Sequence, residues 1–294
     1  MIVDKVLIIG ASTRAAAFSA FRAGPRPCCM DLFADSDLAA RFPVVRFDPD
    51  READELERIA SSFDCPHWLY TGSMEGRPEL VERLEGLGKL LGNGPEILRQ
   101  IRDPWRVSTA LGATGLPTPA LRTASAGKGP SGRWLRKSRS TAGGMGVSWA
   151  ESTDAASEDE HFQEFIDGET CSALFVAAAG KARLIGTALQ LQGPREAPFL
   201  YRGNIAPWPL DAVIDDLQAV GRVLAAEFDL VGLFGVDFIV KDDVPWVLEV
   251  NPRYTASVEI HEAVYKRPLL ADHIRACLDG EVGSGGALVP GGLT

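Results

Sequence analysis

Residues 232–253 read GLFGVDFIVKDDVPWVLEVNPR, and this is the most specific pattern in the chain. Two apolar runs flank a short polar segment, which predicts two neighbouring antiparallel strands. Glu249 and Asn251 are two positions apart, so they point to the same face of a strand, and Asp237 reaches that face from the other strand. Their oxygens are the donors that Mg²⁺ prefers. Because an unpaired carboxylate inside an apolar run is costly, we expect a metal site here rather than a solvated edge.

A second motif lies upstream in WLRKSRSTAGGMGV, residues 134–147. Its apolar start predicts a strand that delivers Lys137, followed by a loop that contains Gly143, Gly144 and Gly146. Glycine lets backbone N–H groups approach anionic oxygens because it has no Cβ to block them. The lysine precedes the glycines, so the motif is not a Walker A loop. It predicts phosphate binding, with a flexible hairpin turn as the alternative.

The N-terminal third alternates strand and helix signals. Short apolar runs such as Val6–Ile9 and His67–Thr71 alternate with helix-compatible segments such as Asp50–Ser62. This alternation predicts a parallel sheet covered by helices. From Phe162 onward the strands are longer and alternate in polarity, which predicts an antiparallel sheet with one covered face. The fold class is therefore α/β, with α+β organisation in the C-terminal half.

Changes in pattern divide the chain into four parts. They are an N-terminal parallel α/β domain (1–94), a small central subdomain (95–167), a C-terminal subdomain with an antiparallel sheet (168–280) and a flexible, glycine-rich tail (281–294). The central subdomain opens with Pro95–Thr114, which predicts a helical stretch that ends at Gly115. A glycine- and serine-bearing loop, Ser125–Arg133, precedes the strand that delivers Lys137.

The composition excludes several classes of partner. The formal net charge is −10, so the chain repels polyanions and no nucleic-acid partner is expected. No apolar run approaches the roughly 18 residues of a membrane span, and the N-terminus lacks the basic region of a signal peptide. The five cysteines form no CxxC pair, and the four histidines lack metal-ligand spacing. These features predict a cytoplasmic protein without a membrane partner.

The turn after the first strand offers one alternative function. Gly10 is followed by Ala-Ser-Thr-Arg-Ala, a strand–glycine–helix start in which Asp31 would take the place of the ribose-binding acid of a dinucleotide fold. The turn lacks the GxGxxG fingerprint, so a nicotinamide oxidoreductase is not expected.

Four motifs in this order resemble those of the ATP-grasp superfamily: WLRKSRSTAGGMGV, FQEFIDGETCSALFV, GLFGVDFIV and WVLEVNPR. The resemblance covers about residues 95–275 and is closest to a subgroup of predicted carboligases, some of which accompany methanopterin-dependent one-carbon metabolism. It implies the ATP-grasp fold, with ATP and Mg²⁺ or Mn²⁺ as cofactors. It further implies small-molecule carboxylate and amine substrates, and it is compatible with a homodimer.

The resemblance also implies roles for individual residues in catalysis and metal binding. Lys137 matches the lysine that binds the ATP phosphates and takes part in their transfer. Asp237, Glu249 and Asn251 match the magnesium ligands. Arg253 matches the catalytic arginine that faces the acyl phosphate and the tetrahedral intermediate.

Further residues match the nucleotide-binding segments. Ala142–Gly146, with Gly143, Gly144 and Gly146, matches the mobile lid. The hinge whose backbone pairs with the adenine edge is matched by Gln163, Glu164, Phe165 and Ile166. Glu169 lies one place before the usual acidic ribose contact. The family often has Asp-Lys at the start of the central subdomain, where this chain has Asp103-Pro104, so Arg102 or Arg106 would supply the cation.

The implied reaction is an ATP- and Mg²⁺-dependent ligation of a carboxylate to an amine or a thiol. The γ-phosphoryl group is transferred to the carboxylate, and the nucleophile then displaces phosphate from the acyl phosphate, so ADP and phosphate are released. Candidate substrate contacts lie on loops at strand ends, where open α/β sheets place ligands. They are Ser12, Arg14, Glu75 and the segment Tyr201–Asn204. Of these we expect Ser12, Arg14, Glu75 and Arg202 to line one cleft with Arg253.

A function of a different class also fits the motifs. The chain would then be a nucleotide-binding regulatory protein of ATP-grasp fold without ligase activity, which Pro104 favours. The joint presence of Asp237, Glu249, Asn251 and Arg253 favours the ligase, because nucleotide binding alone does not need the whole set.

Overall fold

Three β-sheets and the helices packed against them form the fold, which is given by a computed structural model. The structure describes residues 3–46, 48, 53–123, 133–141, 143–151 and 157–283. Within these ranges, no helix has both the length and the apolar character needed to cross a membrane. Parts of three predicted segments lie outside the described residues, namely 50–52 of the second helix, 125–132 of the loop before Lys137, and 284–294 of the tail.

The first sheet is parallel and belongs to the N-terminal third. In the spatial order β3-β2-β1-β4-β5, its strands are β1 (Lys5–Gly10), β2 (Arg26–Asp31), β3 (Val44–Arg46), β4 (His67–Tyr70) and β5 (Lys89–Leu90). The accompanying helices are α1 (Arg14–Ala23), α2 (Ser36–Ala39), α3 (Ala53–Ser61) and α4 (Pro78–Arg83), which continues as a 3₁₀ turn over Leu84–Leu87. The central strand β1 is buried on both faces, which explains its unbroken apolar run. The predicted parallel sheet is confirmed.

The second sheet is small and antiparallel. Its strands, in the spatial order β6-β9-β7-β8, are β6 (Leu121–Arg122), β7 (Trp134–Ser138), β8 (Val147–Trp149) and β9 (Glu160–Glu164). Two helices, α5 (Pro95–Ile101) and α6 (Pro104–Gly112), precede it.

The predicted helical stretch Pro95–Thr114 consists of two helices, because the chain breaks between α5 and α6. The carboxylate of Asp103 accepts the backbone N–H of Trp105 at 2.9 Å and caps the second helix. Pro104 occupies the first helical position, where its missing N–H costs no hydrogen bond. The Asp103-Pro104 pair is therefore a helix start.

The third sheet is antiparallel and contains the longest strands. In the spatial order β12-β11-β10-β13-β14, its strands are β10 (Glu169–Ala178), β11 (Lys181–Gln190), β12 (Asn204–Ile205), β13 (Gly232–Lys241) and β14 (Val244–Asn251). A 3₁₀ turn over Asp211–Val213 leads into α7 (Ile214–Glu227), and α8 (Ser257–Tyr265) and α9 (Leu270–Asp279) follow the sheet. Neither α8 nor α9 is predicted from the sequence.

Both faces of this sheet are covered, which corrects the prediction of one covered face. Phe175 and Ala177 of β10 pack in the same apolar core as α7. Leu174 and Val176 point the other way and share a core with α1, α8 and α9. The N-terminal helix α1 therefore takes part in the core of the third sheet, which fixes the N-terminal domain beside the ends of β13 and β14.

Candidate active site

The hairpin of β13 and β14 brings the three predicted metal ligands together. Asp237 is paired with Glu249, while Phe238 is paired with Val247, so Leu248 is the extra residue of a β-bulge. Gly235, two residues before Asp237, is paired with Asn251. The two carboxylates and the amide consequently face one side of the sheet: the two-residue spacing predicts this for Glu249 and Asn251, and the bulge brings Asp237 to the same side.

Hydrogen bonds fix the orientation of Asp237. Its Oδ1 accepts from Nε2 of Gln190 at 2.7 Å, and its Oδ2 accepts from Nδ2 of Asn251 at 3.0 Å. Burial, together with the facing charge of Glu249, raises the pKa of Asp237 to about 8. Burial also acts to raise the pKa of Glu249, but the nearby Lys137 and Arg102 outweigh it and lower that pKa.

Lys137 reaches the hairpin from the second sheet. Strand β7 delivers its side chain, whose Nζ donates to Oε1 of Gln163 at 3.1 Å and lies 3.9 Å from Oε2 of Glu249. Gln163 in turn donates from Nε2 to the carbonyl of the bulge residue Leu248 at 3.4 Å. The predicted phosphate lysine and the predicted metal ligands thus lie on opposite walls of one space between the second and third sheets.

The glycine loop is held against the segment before β12. Gly143 and Gly144 have φ values of +66° and +78°, a region that favours glycine. A Cβ on Gly144 would lie 1.8 Å from the carbonyl oxygen of Phe199, and the N–H of Tyr201 donates to the carbonyl of Gly143 at 3.0 Å. This contact covers the space between the sheets. Ala142, the first residue of the predicted lid, lies outside the described residues.

Arg102 contacts the start of the same loop. Its Nη2 donates to the carbonyls of Arg139 at 2.5 Å and Thr141 at 3.1 Å. Arg106 lies 4.0 Å from the carboxylate of Asp103 instead. Of the two cations considered as substitutes for the family lysine, Arg102 is the one next to the loop.

A cavity of about 500 Å³ lies between the two sheets. Most of the predicted site residues line it: Lys137, Gly143, Gly144, Gln163, Glu164, Phe165, Ile166, Asp237, Glu249, Asn251 and Arg253. Its other end is apolar, with Leu135, Trp149 and Ile239 in the wall and the rings of Trp149 and Phe165 at 4.8 Å between centroids. An apolar slot that leads to a charged end suits a ligand with a flat ring and an anionic chain.

The hinge backbone leaves a donor available at the apolar end. The N–H groups of Glu164 and Phe165 donate to the carbonyls of Ala120 and Arg133, both at 2.9 Å. Within the described ranges, the N–H of Ile166 has no backbone acceptor, and Ile166 lines the cavity. A ring nitrogen can therefore be recognised by this N–H.

Arg253 closes the charged end of the cavity. Its Nε donates to Oε1 of Glu75 at 2.6 Å, its Nη2 donates to Oδ1 of Asn251 at 3.3 Å, and its Nη1 donates to the carbonyl of Tyr254 at 3.3 Å. Glu75 is fully buried and comes from the loop after β4 of the first sheet. The N-terminal domain thus reaches the site, although Glu75 itself does not line the cavity.

Several predicted residues lie apart from the cavity. Ser12, Arg14, Gly146, Glu169 and Arg202 are absent from its lining. Arg14 bonds Asp37 at 2.7 Å and Glu259 at 3.3 Å, and the carboxylate of Glu169 accepts the indole N–H of Trp208 at 2.7 Å. Ser12 and Arg202 are exposed at the surface. The expected single cleft of Ser12, Arg14, Glu75, Arg202 and Arg253 therefore reduces to the Glu75–Arg253 contact.

Asp31 has a structural role in the first βα turn. Its Oδ2 accepts from the N–H and the hydroxyl of Thr13 at 2.5 and 2.8 Å, and its Oδ1 accepts from the N–H groups of Phe33 and Ala34. The carboxylate is fully buried and its acceptor sites are filled. It is not available to a ribose, which agrees with the absence of a dinucleotide fingerprint.

Some cavity residues are missed by the sequence analysis. They are Gln190, Thr255 and Ser257. Gln190 ends an apolar strand, and a polar residue at that position is a signal of a possible site. Of the predicted segment Tyr201–Asn204, Tyr201 and Asn204 line the cavity and Arg202 does not.

The donor set suits a cation that shares its coordination with phosphate oxygens. In the ranges that the structure covers, no group of three or more His, Cys, Asp or Glu side chains is arranged to hold a metal ion. The candidate site has two carboxylates and one amide, and Mg²⁺ characteristically takes only one or two carboxylates and completes its shell with water and phosphate. The close approach of Asp237 and Glu249 also favours a positive charge between them.

Taken together, these features define a protein of mixed α/β architecture with an elongated cavity between two antiparallel sheets. The family model for the ATP-grasp domain matches residues 101–257, which is more than half of the chain. The chain belongs to the ATP-grasp family, and the predicted superfamily and fold are confirmed.

Known proteins of the same fold resemble the chain over most of its length. An uncharacterised protein of Methanocaldococcus jannaschii is 22% identical over 283 residues, which cover 88% of this chain and 70% of that protein. A similar solved structure is the biotin carboxylase domain of Hydrogenobacter thermophilus 2-oxoglutarate carboxylase, a dimer with MgADP, ADP and bicarbonate. Its TM-score is 0.76 at 13% identity, and the match covers 98% of this chain and 72% of that chain. The N5-carboxyaminoimidazole ribonucleotide synthetase of Thermus thermophilus has a TM-score of 0.73 at 18% identity, with coverages of 96% and 81%. At such identities the likeness shows the fold alone.

Proposed function

We propose that the chain is an ATP- and Mg²⁺-dependent ligase that joins a carboxylate to an amine, or to a thiol, through an acyl phosphate. One observation supports this most strongly. Lys137, Asp237, Glu249, Asn251 and Arg253 come from two sheets and meet at the charged end of one cavity whose other end is apolar. ATP would place its adenine at the hinge and its phosphates at this charged end.

The residues at the charged end would do the work of phosphoryl transfer. Lys137 presents an ammonium group, and the glycine loop presents backbone N–H groups, so both would neutralise charge on the γ-phosphoryl group. Asp237, Glu249 and Asn251 would hold Mg²⁺, which when bound offsets the charge of the phosphate oxygens. In the transfer, a carboxylate oxygen of the substrate bonds to Pγ while the bond between Pγ and the β-phosphate oxygen breaks.

The second step would use Arg253 and the closed loop. The nucleophile bonds to the acyl carbon, and phosphate leaves with the oxygen that came from the carboxylate. Arg253 would stabilise the oxyanion with its charge and its remaining Nη1 hydrogen. The contact of Gly143 and Gly144 with Phe199 and Tyr201 covers the site, and this would exclude water that hydrolyses the acyl phosphate.

A substrate screen, an isotope label and a chemical trap test this proposal. Candidate acids, bicarbonate among them because the Hydrogenobacter relative holds it, are screened with amines and thiols for ADP formation that requires both partners. A carboxylate labelled with ¹⁸O should then transfer one ¹⁸O to the released phosphate. Hydroxylamine should trap the acyl phosphate as a hydroxamate. AMP and pyrophosphate as the main products would instead indicate adenylation and exclude the proposed intermediate.

The regulatory alternative loses its main support. Pro104 favours it in the sequence because it replaces a phosphate-binding lysine, but Pro104 begins α6, and Arg102 stands next to the glycine loop. A regulatory protein would bind ATP and form no ADP with any acid and nucleophile, so the same screen separates the two functions.

A further inference from the structure

The contact between Glu75 and Arg253 joins two parts of the chain that lie 178 positions apart. Oε1 of Glu75 is 2.6 Å from both Nε and Nη2 of Arg253. Glu75 is fully buried, whereas 12% of the Arg253 side chain is exposed, on the cavity side. The N-terminal domain thus holds the Nε–Nη2 edge of the guanidinium, and the rest of the group reaches the cavity.

The same guanidinium begins a chain of hydrogen bonds to the candidate metal site. Nη2 of Arg253 donates to Oδ1 of Asn251, whose Nδ2 donates to Oδ2 of Asp237. Asn251 is 6% exposed, so this path lies in a region of low dielectric where each bond is strengthened. Asn251 thus has two partners, and its bond to Asp237 can hold it in place when Arg253 moves.

Stability alone does not account for the Glu75–Arg253 pair. Oε2 of Glu75 is buried and has no hydrogen-bond partner among the described residues. In a buried ion pair with an unsatisfied oxygen, the attraction between the charges offsets the cost of their desolvation only in part. Apolar replacements of such pairs are often neutral or stabilising. An arrangement that costs stability at the edge of a cavity indicates a functional constraint.

We infer that Glu75 is the positioning residue for Arg253, which would face the transferred phosphoryl group of the acyl phosphate, and that the N-terminal domain contributes to catalysis in this way. The inference rests on the proposed function. Glu75 does not line the cavity, so it acts on the substrate only through the guanidinium. With Oε1 of Glu75 between Nε and Nη2, Arg253 cannot present its fork to a carboxylate and offers an Nη1 hydrogen to one oxygen instead.

The test uses a probe that needs neither the acid nor the amine. The binding of Mg-ADP, alone and with aluminium fluoride as a mimic of the transferring phosphoryl group, is measured by calorimetry for the wild type, Glu75→Gln and Glu75→Asp. Glu79→Gln is the matched control, because Glu79 lies on α4, is 75% exposed and sits 3.8 Å from Arg99. We expect Glu75→Gln to bind Mg-ADP as the wild type does and to lose about tenfold or more of the affinity gained with aluminium fluoride.

Each outcome decides a separate question. An aluminium fluoride effect that is equal in the wild type and in both Glu75 variants would overturn the positioning role. Glu75→Asp keeps the charge but withdraws the carboxylate by one methylene, so it should lose part of the effect even if Glu75→Gln does not fold. No aluminium fluoride effect in the wild type would count against the proposed function instead.

In that last case a spectroscopic signature still decides the positioning role. The Nε–Hε resonance of Arg253, assigned with an Arg253→Lys variant, should be shifted and protected from exchange in the wild type because it is bonded to a buried carboxylate. It should move and exchange faster in Glu75→Gln but not in Glu79→Gln. An unchanged resonance in Glu75→Gln would show that other contacts hold the guanidinium.

Discussion

Asp237 and Glu249 are directly paired residues of β13 and β14, and their carboxylates share one side of the hairpin. Only Glu249 has an ammonium group within 4 Å among the described residues, since Nζ of Lys137 lies 3.9 Å from its Oε2. The pKa of Asp237 is raised to about 8 and that of Glu249 is lowered, so the pair is asymmetric before any cation arrives. Glu249 therefore carries its charge at neutral pH, where a metal ion can share it.

Replacement of Glu249 by Gln should therefore strongly reduce the turnover that Mg²⁺ supports. The change keeps the shape of the side chain and removes the charge that Mg²⁺ would share, so we expect a loss of roughly 100-fold or more. A titration of ADP formation against Mg²⁺ checks this. Asp243→Asn is the control, because Asp243 lies in the exposed turn of the same hairpin with φ of 57°, which Asn tolerates. A wild-type magnesium curve in Glu249→Gln would exclude Glu249 as a ligand.

Lys137→Ala should weaken ATP binding or slow phosphoryl transfer. The side chain is only 12% exposed and points between Gln163 and Glu249, so its charge is poorly screened by water. Charge-assisted bonds of this kind are worth about 10- to 100-fold in affinity. Calorimetry with Mg-ATP measures the effect, and Lys241→Ala at the exposed end of β13 should bind like the wild type. Unchanged affinity together with unchanged turnover would contradict the phosphate role of Lys137.

The arrangement of the central residues of the candidate site follows largely from local sequence. Asp237, Glu249 and Asn251 lie in two adjacent strands; strand periodicity places Glu249 and Asn251 on one face, and the bulge at Leu248 brings Asp237 opposite Glu249. Lys137 is also recognisable, because the glycines that follow it within ten residues restrict what the loop can do. Neither inference needs a contact between distant parts of the chain.

The periphery of the site depends on distant contacts that no local pattern contains. Arg14 is bound by Asp37 and by Glu259, which is 245 positions away, so it is not available to the carboxylate substrate that its charge suggests. Glu169 does not line the cavity, and its carboxylate accepts the indole N–H of Trp208, 39 positions further on. These side chains are directed by tertiary packing, and a sequence read on its own does not reveal which partner prevails.

Gly144→Ala should separate ATP hydrolysis from ligation. The added Cβ would lie 1.8 Å from the carbonyl oxygen of Phe199, so the glycine loop would no longer dock on the segment before β12. Water would then reach the acyl phosphate, and the ratio of ADP to ligated product should rise. Gly143→Ala is a matched control, since it has a similar positive φ but no heavy atom within 4 Å of its Cβ. Equal ratios in the two variants would attribute any effect to backbone strain rather than to docking.

His273 should make the stability of the fold depend on pH. It is buried in α9, where its Nδ1 accepts the N–H of Leu233 at 2.8 Å and its Nε2 lies 3.0 Å from the carbonyl of Leu91. This pattern requires the neutral ring with its hydrogen on Nε2, because a proton on Nδ1 would displace the Leu233 bond. Burial lowers the pKa of His273 from 6.5 to about 4, although the Leu91 carbonyl acts to raise it.

The sign of the effect follows from proton uptake. Between pH 6.5 and 4 the unfolded chain binds a proton at His273 that the folded chain does not, so the free energy of unfolding falls as pH decreases through this window, by about 3 kcal/mol at most for this residue. The free energy of unfolding, measured with urea between pH 7.5 and 4.5, should depend less steeply on pH in His273→Gln. The glutamine does not titrate and retains one donor and one acceptor. Burial also lowers the pKa values of His161 and His261 to about 4, so only part of the slope should disappear. The control His67→Gln, at a half-buried position, should reduce the pH dependence of the free energy of unfolding by less. An unchanged pH dependence in His273→Gln would mean that the ring of His273 is already protonated or solvated in the folded chain.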